Sequence, residues 1–203
     1  MKRTLTAMAI ALTLLGCSLF SAEDQEPEDP FEPVFTAQIN GKPFEGSSFR
    51  GRAGAIAIIS TRGANTHLTI TGTEWSEKLF PYNGDISISM LYENGKQKYS
   101  TQTDYFTDID GHPKSIGGTY YENDGDARIS VYEAYNDDEG FITVHVEEQD
   151  DGRTVVSGTF EMRLIVDSRA DPYSQWADQD TLYITNGEYR VSLFDYDQWN
   201  GQE

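Results

Sequence analysis

Apolar side chains recur at every second position through much of the chain beyond residue 33, and this pattern limits the fold more than any other feature. The longest example is a run of one parity: Val156, Gly158, Phe160, Met162, Leu164 and Val166. Successive side chains of a strand point to opposite faces of a sheet, so the run predicts a strand with one buried face. No comparable stretch has the i, i+3, i+4 spacing of an amphipathic helix.

Similar segments are separated by dipeptides that favour turns. Strands are expected at 34–39, 55–60, 66–71, 85–91, 118–121, 127–133, 141–147, 156–166, 182–185 and 189–194, with 44–49 and 97–103 as candidate return strands. Asn40-Gly41, Asn94-Gly95 and Asn186-Gly187 each predict a two-residue hairpin, because both residue types tolerate positive φ. One short helical turn is expected at 171–179. The sequence therefore predicts an all-β antiparallel sandwich or barrel of about ten strands, in one domain over residues 34–203.

The first sixteen residues have the pattern of an export signal. Lys2 and Arg3 precede the apolar stretch 7–15, which is shorter than the roughly 20 residues that span a bilayer. The stretch ends in Leu14-Leu15-Gly16-Cys17, which resembles a bacterial lipobox. The resemblance implies that Cys17 carries a diacylglyceryl group and becomes the acylated first residue of the mature chain. An ordinary secretory signal with a chance cysteine is the alternative.

Residues 17–33 are predicted to be the lipidated cysteine followed by a disordered tether. This segment has six acidic residues, three prolines and no basic residue, a composition that favours an extended, solvated chain. A spacer is the favoured interpretation, and a surface-export signal is the alternative. Ser18 rather than Asp follows Cys17, which favours the outer membrane, with the periplasmic face preferred over the cell surface.

The charge and the residue counts exclude several classes of protein. The chain has 34 Asp+Glu against 15 Lys+Arg, a formal net charge of -19, so nucleic acid is not an expected partner. One cysteine cannot form a disulfide framework within the chain or a thiolate zinc site. The sequence has no Gly-x-Ser-x-Gly elbow and no glycine-rich phosphate loop. We therefore predict a non-enzymatic protein with no cofactor.

The candidate metal ligands have weaker patterns. Acidic residues cluster beside glycines at 108–111, 122–126 and 136–140, where they could bind calcium or simply form turns, the favoured interpretation. His67, His112 and His145 lack zinc-ligand spacing. His67 and His145 are expected to point outward, because their parity opposes that of the apolar residues. No metal site is predicted.

Aromatic residues near predicted strand ends give the last candidate site. They are Trp75, Trp176, Trp199 and Tyr173, the last of which shares a predicted loop with Trp176, Asp171 and Asp178. Exposed aromatic rings beside carboxylates suit sugars, which have apolar faces and hydroxyl edges. The alternative, which we favour, is that these rings pack on the pleated sheet.

Four short motifs in order resemble a broad set of Bacteroidota-type lipoproteins of unknown function. They are the opening Phe-Thr-Ala-Gln-Ile-Asn-Gly-Lys at 35–42, Gly-Gly-Thr-Tyr at 117–120, Val-Ser-Gly-Thr-Phe at 156–160 and Ile-Thr-Asn-Gly-Glu-Tyr at 184–189. The resemblance implies an all-β domain, and it implies no activity and no catalytic residues.

Two functions follow as expectations. The first is a membrane-anchored envelope lipoprotein that acts as an accessory or interaction module. The alternative is a domain on the outer membrane that binds a glycan or small ligand, with or without calcium. A concave pocket edged by Trp176 or Trp75 would favour the ligand-binding domain, and a filled interior with a flat exposed sheet edge would favour the interaction module.

Overall fold

The chain beyond the predicted tether forms one compact unit, Pro33–Glu203. The computed structural model describes residues 31–47, 54–75, 82–101, 105–107, 113–124, 127–134, 140–170 and 173–197. The predicted signal peptide and most of the predicted tether lie outside these residues.

The regular elements of the described residues are fourteen β-strands. They are β1 (Val34–Ile39), β2 (Lys42–Glu45), β3 (Ala55–Arg62), β4 (Asn65–Trp75), β5 (Tyr82–Leu91), β6 (Lys98–Ser100), β7 (Tyr105–Thr107), β8 (Pro113–Ser115), β9 (Gly117–Asp124), β10 (Ala127–Ala134), β11 (Phe141–Thr143), β12 (His145–Glu148), β13 (Thr154–Arg169) and β14 (Thr181–Asp195). The all-β prediction is confirmed.

Twelve of these strands form one sheet that pairs back onto itself. Its order is β2-β1-β14-β3-β4-β5-β9-β10-β13-β11-β6, with β12 on β13 and a further pairing of β13 with β14. The strands from β14 through β3, β4, β5, β9 and β10 to β13 therefore make a closed circuit around the core. Neighbouring strands are antiparallel except β14 and β3, which run parallel. The architecture fits the predicted sandwich-or-barrel class.

The long strands β13 and β14 hold the circuit together, because each pairs with different partners along its length. β13 contacts β12, β11 and β10 in turn on one side and β14 on the other. β14 contacts β1 along its middle and β3 at its end. β13 and β14 have 16 and 15 residues, whereas a strand usually has 5–6. Their length lets each of them pair with several strands in succession.

Two Asn-Gly dipeptides that predict hairpins have different structures. Asn40 and Gly41 do make the β1–β2 hairpin, with φ of 50° and 79°. Asn186-Gly187 does not make a hairpin, because β14 continues through it. Asn186 has φ 51°, and the register against both neighbours shifts there, so positive φ forms a bulge instead of a reversal.

Gly95 has φ 85°, as a turn requires, but the strand that follows does not return to β5. β6 pairs with β11 instead, so the predicted hairpin is wrong in its partner. Likewise, the predicted strand 141–147 divides into β11 and β12 at Val144. Of the helical turn predicted at 171–179, residues 171 and 172 lie outside the described residues. The part at 173–179 is a series of tight turns, and the backbone N–H groups of Tyr173, Ala177 and Gln179 donate to carbonyls three residues earlier.

The interior is filled by aromatic and aliphatic side chains. The ring of Phe35 lies 5.2 Å from that of Phe160 and 6.0 Å from that of Phe44, and Tyr189 continues the cluster at 6.3 Å from Phe160. Ile70, Ile86 and similar residues from the inward parity of the other strands complete it. The core therefore leaves the ends and the outer faces of the sheet as the places where a partner can bind.

Candidate functional site

A carboxylate lies fully buried inside the sheet. Glu122 has 0% exposure and stands on the inward parity of β9, directly opposite Ser130 of β10. Its oxygens accept hydrogen bonds from the Ser130 hydroxyl at 2.5 Å, from the backbone N–H of Gln175 at 2.7 Å and from the Ser174 hydroxyl. A buried carboxylate needs such donors to replace water, so Glu122 fixes the turn segment 173–180 onto the sheet.

Two tyrosines and an arginine reinforce this attachment. The Tyr120 hydroxyl accepts from Gln175 Nε2 at 2.9 Å and from Trp176 Nε1 at 3.3 Å. Burial raises the pKa of the Tyr132 phenol, which therefore stays protonated and donates to the carbonyl of Gln179 at 2.9 Å. Arg169 donates to the same carbonyl at 2.8 Å. The segment is thereby hydrogen-bonded at both ends.

A cleft lies between this segment and the β1–β2 turn. Its volume is ≈ 320 Å³, near the lower limit for a small-molecule site. Trp176 forms its floor but is only 4% exposed, and Lys42 Nζ lies 4.4 Å from the centre of the indole. The face of the indole is therefore covered by the chain's own ammonium group.

The polar side chains of the cleft bind to one another. Asn40 donates to Gln179 Oε1 at 3.2 Å and accepts from the backbone N–H of Tyr183 at 2.8 Å. Gln175 is engaged by Tyr120. Because Asn40, Gln175 and Gln179 already have hydrogen-bond partners within the chain, we interpret the cleft as a contact that holds the segment 173–180 against the β1–β2 turn rather than as a binding pocket.

A second concavity of ≈ 300 Å³ lies where β11 ends and β12 begins. His145 and Ser157 face each other across its wall, and Lys98 and Gln97 lie on the other side. Its floor is Gly158, where the Tyr189 hydroxyl donates to the Thr143 carbonyl at 2.6 Å. This hydrogen bond closes the gap between the strands.

Among the side chains that the structure describes, none on the outer surface of β3, β4, β5 and β9 is charged across the middle of these strands. Eight outward residues form this area, which we call the uncharged face: Ile56, Ile58, Thr69, Thr71, Ser87, Ser89, Thr119 and Phe194. They stand in register across neighbouring strands. Phe194 is 37% exposed, and the others are half-buried. In a chain of net charge -19, such a surface is expected to contact something other than water.

Hydroxyl groups on the uncharged face pair across the strands. Thr69 Oγ1 lies 3.0 Å from Ser89 Oγ, and Thr71 Oγ1 lies 3.2 Å from Ser87 Oγ. Removing water from paired hydroxyls costs less free energy than removing it from charged groups, because each hydroxyl keeps a hydrogen-bond partner. Burying the uncharged face against a partner therefore costs less free energy than burying the acidic surface around it.

Acidic residues mark the margin of the uncharged face. Glu133 stands opposite Thr119, and Asp85 lies two residues before Ser87 on β5. Asp85 accepts from Thr73 Oγ1 at 2.6 Å and from Asn123 Nδ2 at 3.1 Å. Burial nevertheless raises the pKa of Asp85 above its ordinary value of 3.8, with these hydrogen bonds and Arg128 acting in the opposite direction.

The raised pKa of Asp85 predicts a pH dependence of stability. The folded state binds the proton of the Asp85 carboxyl more tightly than the unfolded state does. The stabilisation that protonated Asp85 contributes to the folded state is therefore fully present below pH 3.8 and is lost as pH rises through the folded pKa. In Asp85→Asn this loss should disappear. We expect the difference in free energy of unfolding between Asp85→Asn and wild type, from urea titrations, to shift in favour of Asp85→Asn as pH rises from about 3.5 to 7. Glu147→Gln, at an exposed carboxylate of β12, is the control, and a pH-independent difference for Asp85→Asn would contradict the assignment.

The predicted site residues fall in different places. Cys17, Trp199, His112 and the acidic loops at 108–111, 125–126 and 136–139 lie outside the described residues. His67 is half-buried on the outward parity of β4 and His145 is exposed, as the alternation predicts. Trp75 is half-buried at the end of β4. Among the described residues, no three His, Cys, Asp or Glu side chains are arranged to hold a metal ion.

Tyr173 and Trp176, the two aromatic residues of the predicted loop, differ in exposure. Tyr173 is 77% exposed, whereas Trp176 belongs to the core. The favoured interpretation, that these rings pack against the sheet, therefore holds for Trp176, whose indole N–H is bound by Tyr120, and not for Tyr173.

Glu122 and the uncharged face are the features that sequence alone did not identify as sites. Glu122 was assigned to an acidic loop, although it shares parity with Gly118 and Tyr120 and could have been placed on the buried side. The alternation Ser87-x-Ser89 was visible, but its alignment with Thr69-x-Thr71 depends on strand register.

Comparison with protein-family models, with curated proteins and with solved structures finds no match to this chain. The resemblance to Bacteroidota-type lipoproteins therefore stays a prediction. In the part of the chain that the structure describes, no helix has the length and apolar character needed to cross a bilayer.

Proposed function

We propose that the protein is a lipid-anchored, non-enzymatic interaction module of the bacterial envelope, held at the outer membrane through Cys17, on its periplasmic face. The observation that carries the proposal is the uncharged face, an outer surface of the sheet without charged side chains among its described residues, in a strongly acidic chain. The filled interior and the mutually bonded cleft support the same choice, because neither offers a free pocket for a substrate.

The anchor supports this role. A single acyl chain binds a membrane weakly, and stable attachment takes two signals, which a lipobox cysteine with several acyl chains exceeds. The acidic tether 18–33 separates the domain from the lipid and from anionic headgroups. The module is thus kept in the envelope while the uncharged face remains available to a partner.

One thiol-labelling experiment tests both the anchor and the face. Cys17 is the only cysteine, so the wild-type chain should react with no maleimide, even in denaturant, because a thioether has no thiol. Ser89→Cys places one thiol on the uncharged face. We expect it to react rapidly in the detergent-purified protein and more slowly in permeabilised envelopes, where a partner covers it.

Thr36→Cys is the matched control, at an outward, half-buried position of β1 that is not part of the uncharged face. Its labelling rate should be the same in both preparations. Equal protection of the two thiols, or none at Ser89→Cys, would refute the interaction. A reactive thiol in the wild-type chain would refute the lipid on Cys17.

A further inference from the structure

We infer that the partner of the uncharged face is a neutral polysaccharide. This inference rests on the proposed function and names the chemistry of its partner. Three properties of the face lead to it, namely its area, its lack of charge and the arrangement of its apolar and hydroxyl groups.

The area of the face is too small for a stable protein partner. Its eight residues lie on five strands, which at the usual strand spacing is about 19 Å across, with one or two outward positions on each strand. The resulting area is about 300 Å², whereas a standard protein interface buries about 800 Å² on each side. A single extended polymer strand needs much less width, so the dimensions favour a polysaccharide over a second copy of this chain.

The distribution of charge excludes anionic polymers. Asp85 and Glu133 border the face, and the whole chain has a net charge of -19. A polyanion would be repelled at the margin, and a polycation would find no carboxylate on the face itself to pair with. A polymer without charge avoids both penalties.

The side chains of the face form two stripes that match the surface of a sugar. Ile56, Ile58 and Phe194 lie together on β3 and the end of β14, with Phe194 beside Ile58 in the register. The hydroxyl residues lie on the neighbouring strands β4, β5 and β9. A pyranose ring has an apolar face of C–H groups and an edge of hydroxyls, so a chain of such rings can lie along both stripes at once.

The paired hydroxyls retain the capacity to bind the sugar edges. A hydroxyl has one donor and two acceptor positions. One hydrogen bond within the pair Thr71–Ser87 therefore leaves one proton and three lone pairs for a ligand. The same holds for Thr69 and Ser89.

Affinity gel electrophoresis of the full lipidated chain in detergent tests the inference. The probes are a soluble β-glucan and dextran as neutral polysaccharides, and alginate as an anionic one. We expect retardation by a neutral probe and none by alginate. Thr71→Lys should weaken the retardation about tenfold or more, because the ammonium must be desolvated under the polymer.

Two further variants make the result specific. Thr36→Lys adds the same charge outside the uncharged face, between Glu188 and Glu45, and should leave retardation unchanged. Thr71→Val with Ser87→Ala removes one hydroxyl pair without adding charge, and should also weaken retardation while the thermal melt shows a folded domain.

Each remaining outcome overturns the inference. Absence of retardation in both neutral gels, equal retardation of Thr71→Lys and wild type, or retardation by alginate alone would each do so. Sedimentation that shows a dimer abolished by Thr71→Lys would assign the face to a second copy instead. In that case the proposed interaction module would stand, since protection of Ser89→Cys tests it separately.

Discussion

Replacing Glu122 with alanine is expected to lower the free energy of unfolding by about 3–5 kcal/mol. The substitution leaves the Ser130 and Ser174 hydroxyls and the Gln175 N–H without their acceptor inside a site that water does not reach. It also frees the segment that covers Trp176. Urea unfolding of the folded domain, followed by tryptophan fluorescence, measures the change.

Glu147→Ala removes an exposed carboxylate from β12 and is the matched control, with an expected change within about 0.5 kcal/mol. Glu122→Gln retains one acceptor oxygen and should fall between the two. If Glu122→Ala lowers stability no more than Glu147→Ala does, the buried carboxylate does not hold the segment in place.

Replacing Gly158 with alanine should lower the free energy of unfolding by about 3 kcal/mol, the upper part of the range for overpacking. A Cβ at this position would overlap the carbonyl oxygen of Thr143 and lie 2.7 Å from its carbonyl carbon and 2.8 Å from the Tyr189 hydroxyl. Both backbones are held there by strand pairing, so neither can move away easily. Thermal and urea unfolding report the loss.

Ser157→Ala, one residue earlier, is the control and should change stability by no more than about 0.5 kcal/mol. Adding Tyr189→Phe to Gly158→Ala removes the hydroxyl but not the clash with the Thr143 backbone, so it should not restore stability. Full recovery in the double variant would show that the hydroxyl, rather than the carbonyl, is the obstacle.

Gly158 also shows which part of a glycine's structural role can be predicted from the sequence motif that contains it. It is the glycine of the Val-Ser-Gly-Thr-Phe strand, and its sequence position alone indicates only a weak point in a strand. The structure shows that another strand ends directly against it. A backbone contact between residues 143 and 158 depends on which strands become neighbours, and alternation within one strand does not contain that information.

The Asn-Gly dipeptides make the same point about turns. Asn40-Gly41 and Asn186-Gly187 have the same local preference for positive φ, and Asn40 and Asn186 have nearly equal φ values. The first reverses the chain and the second forms a bulge, because β14 is paired on both sides where Asn186 lies. Local preference fixes the dihedral angle, and the neighbouring strands decide whether the chain turns.

The sequence by itself determined the all-β class, the inward and outward sides of strands such as β5 and β13, and the prediction of a lipid on Cys17. These follow from alternation and from a contiguous motif, which are local properties. The tertiary structure alone decided that Glu122 is buried, that Trp176 lies in the core, and that five strands align their uncharged outward residues into one face. Those outcomes depend on pairing between residues distant in the chain, whose register the residues of a single strand do not specify.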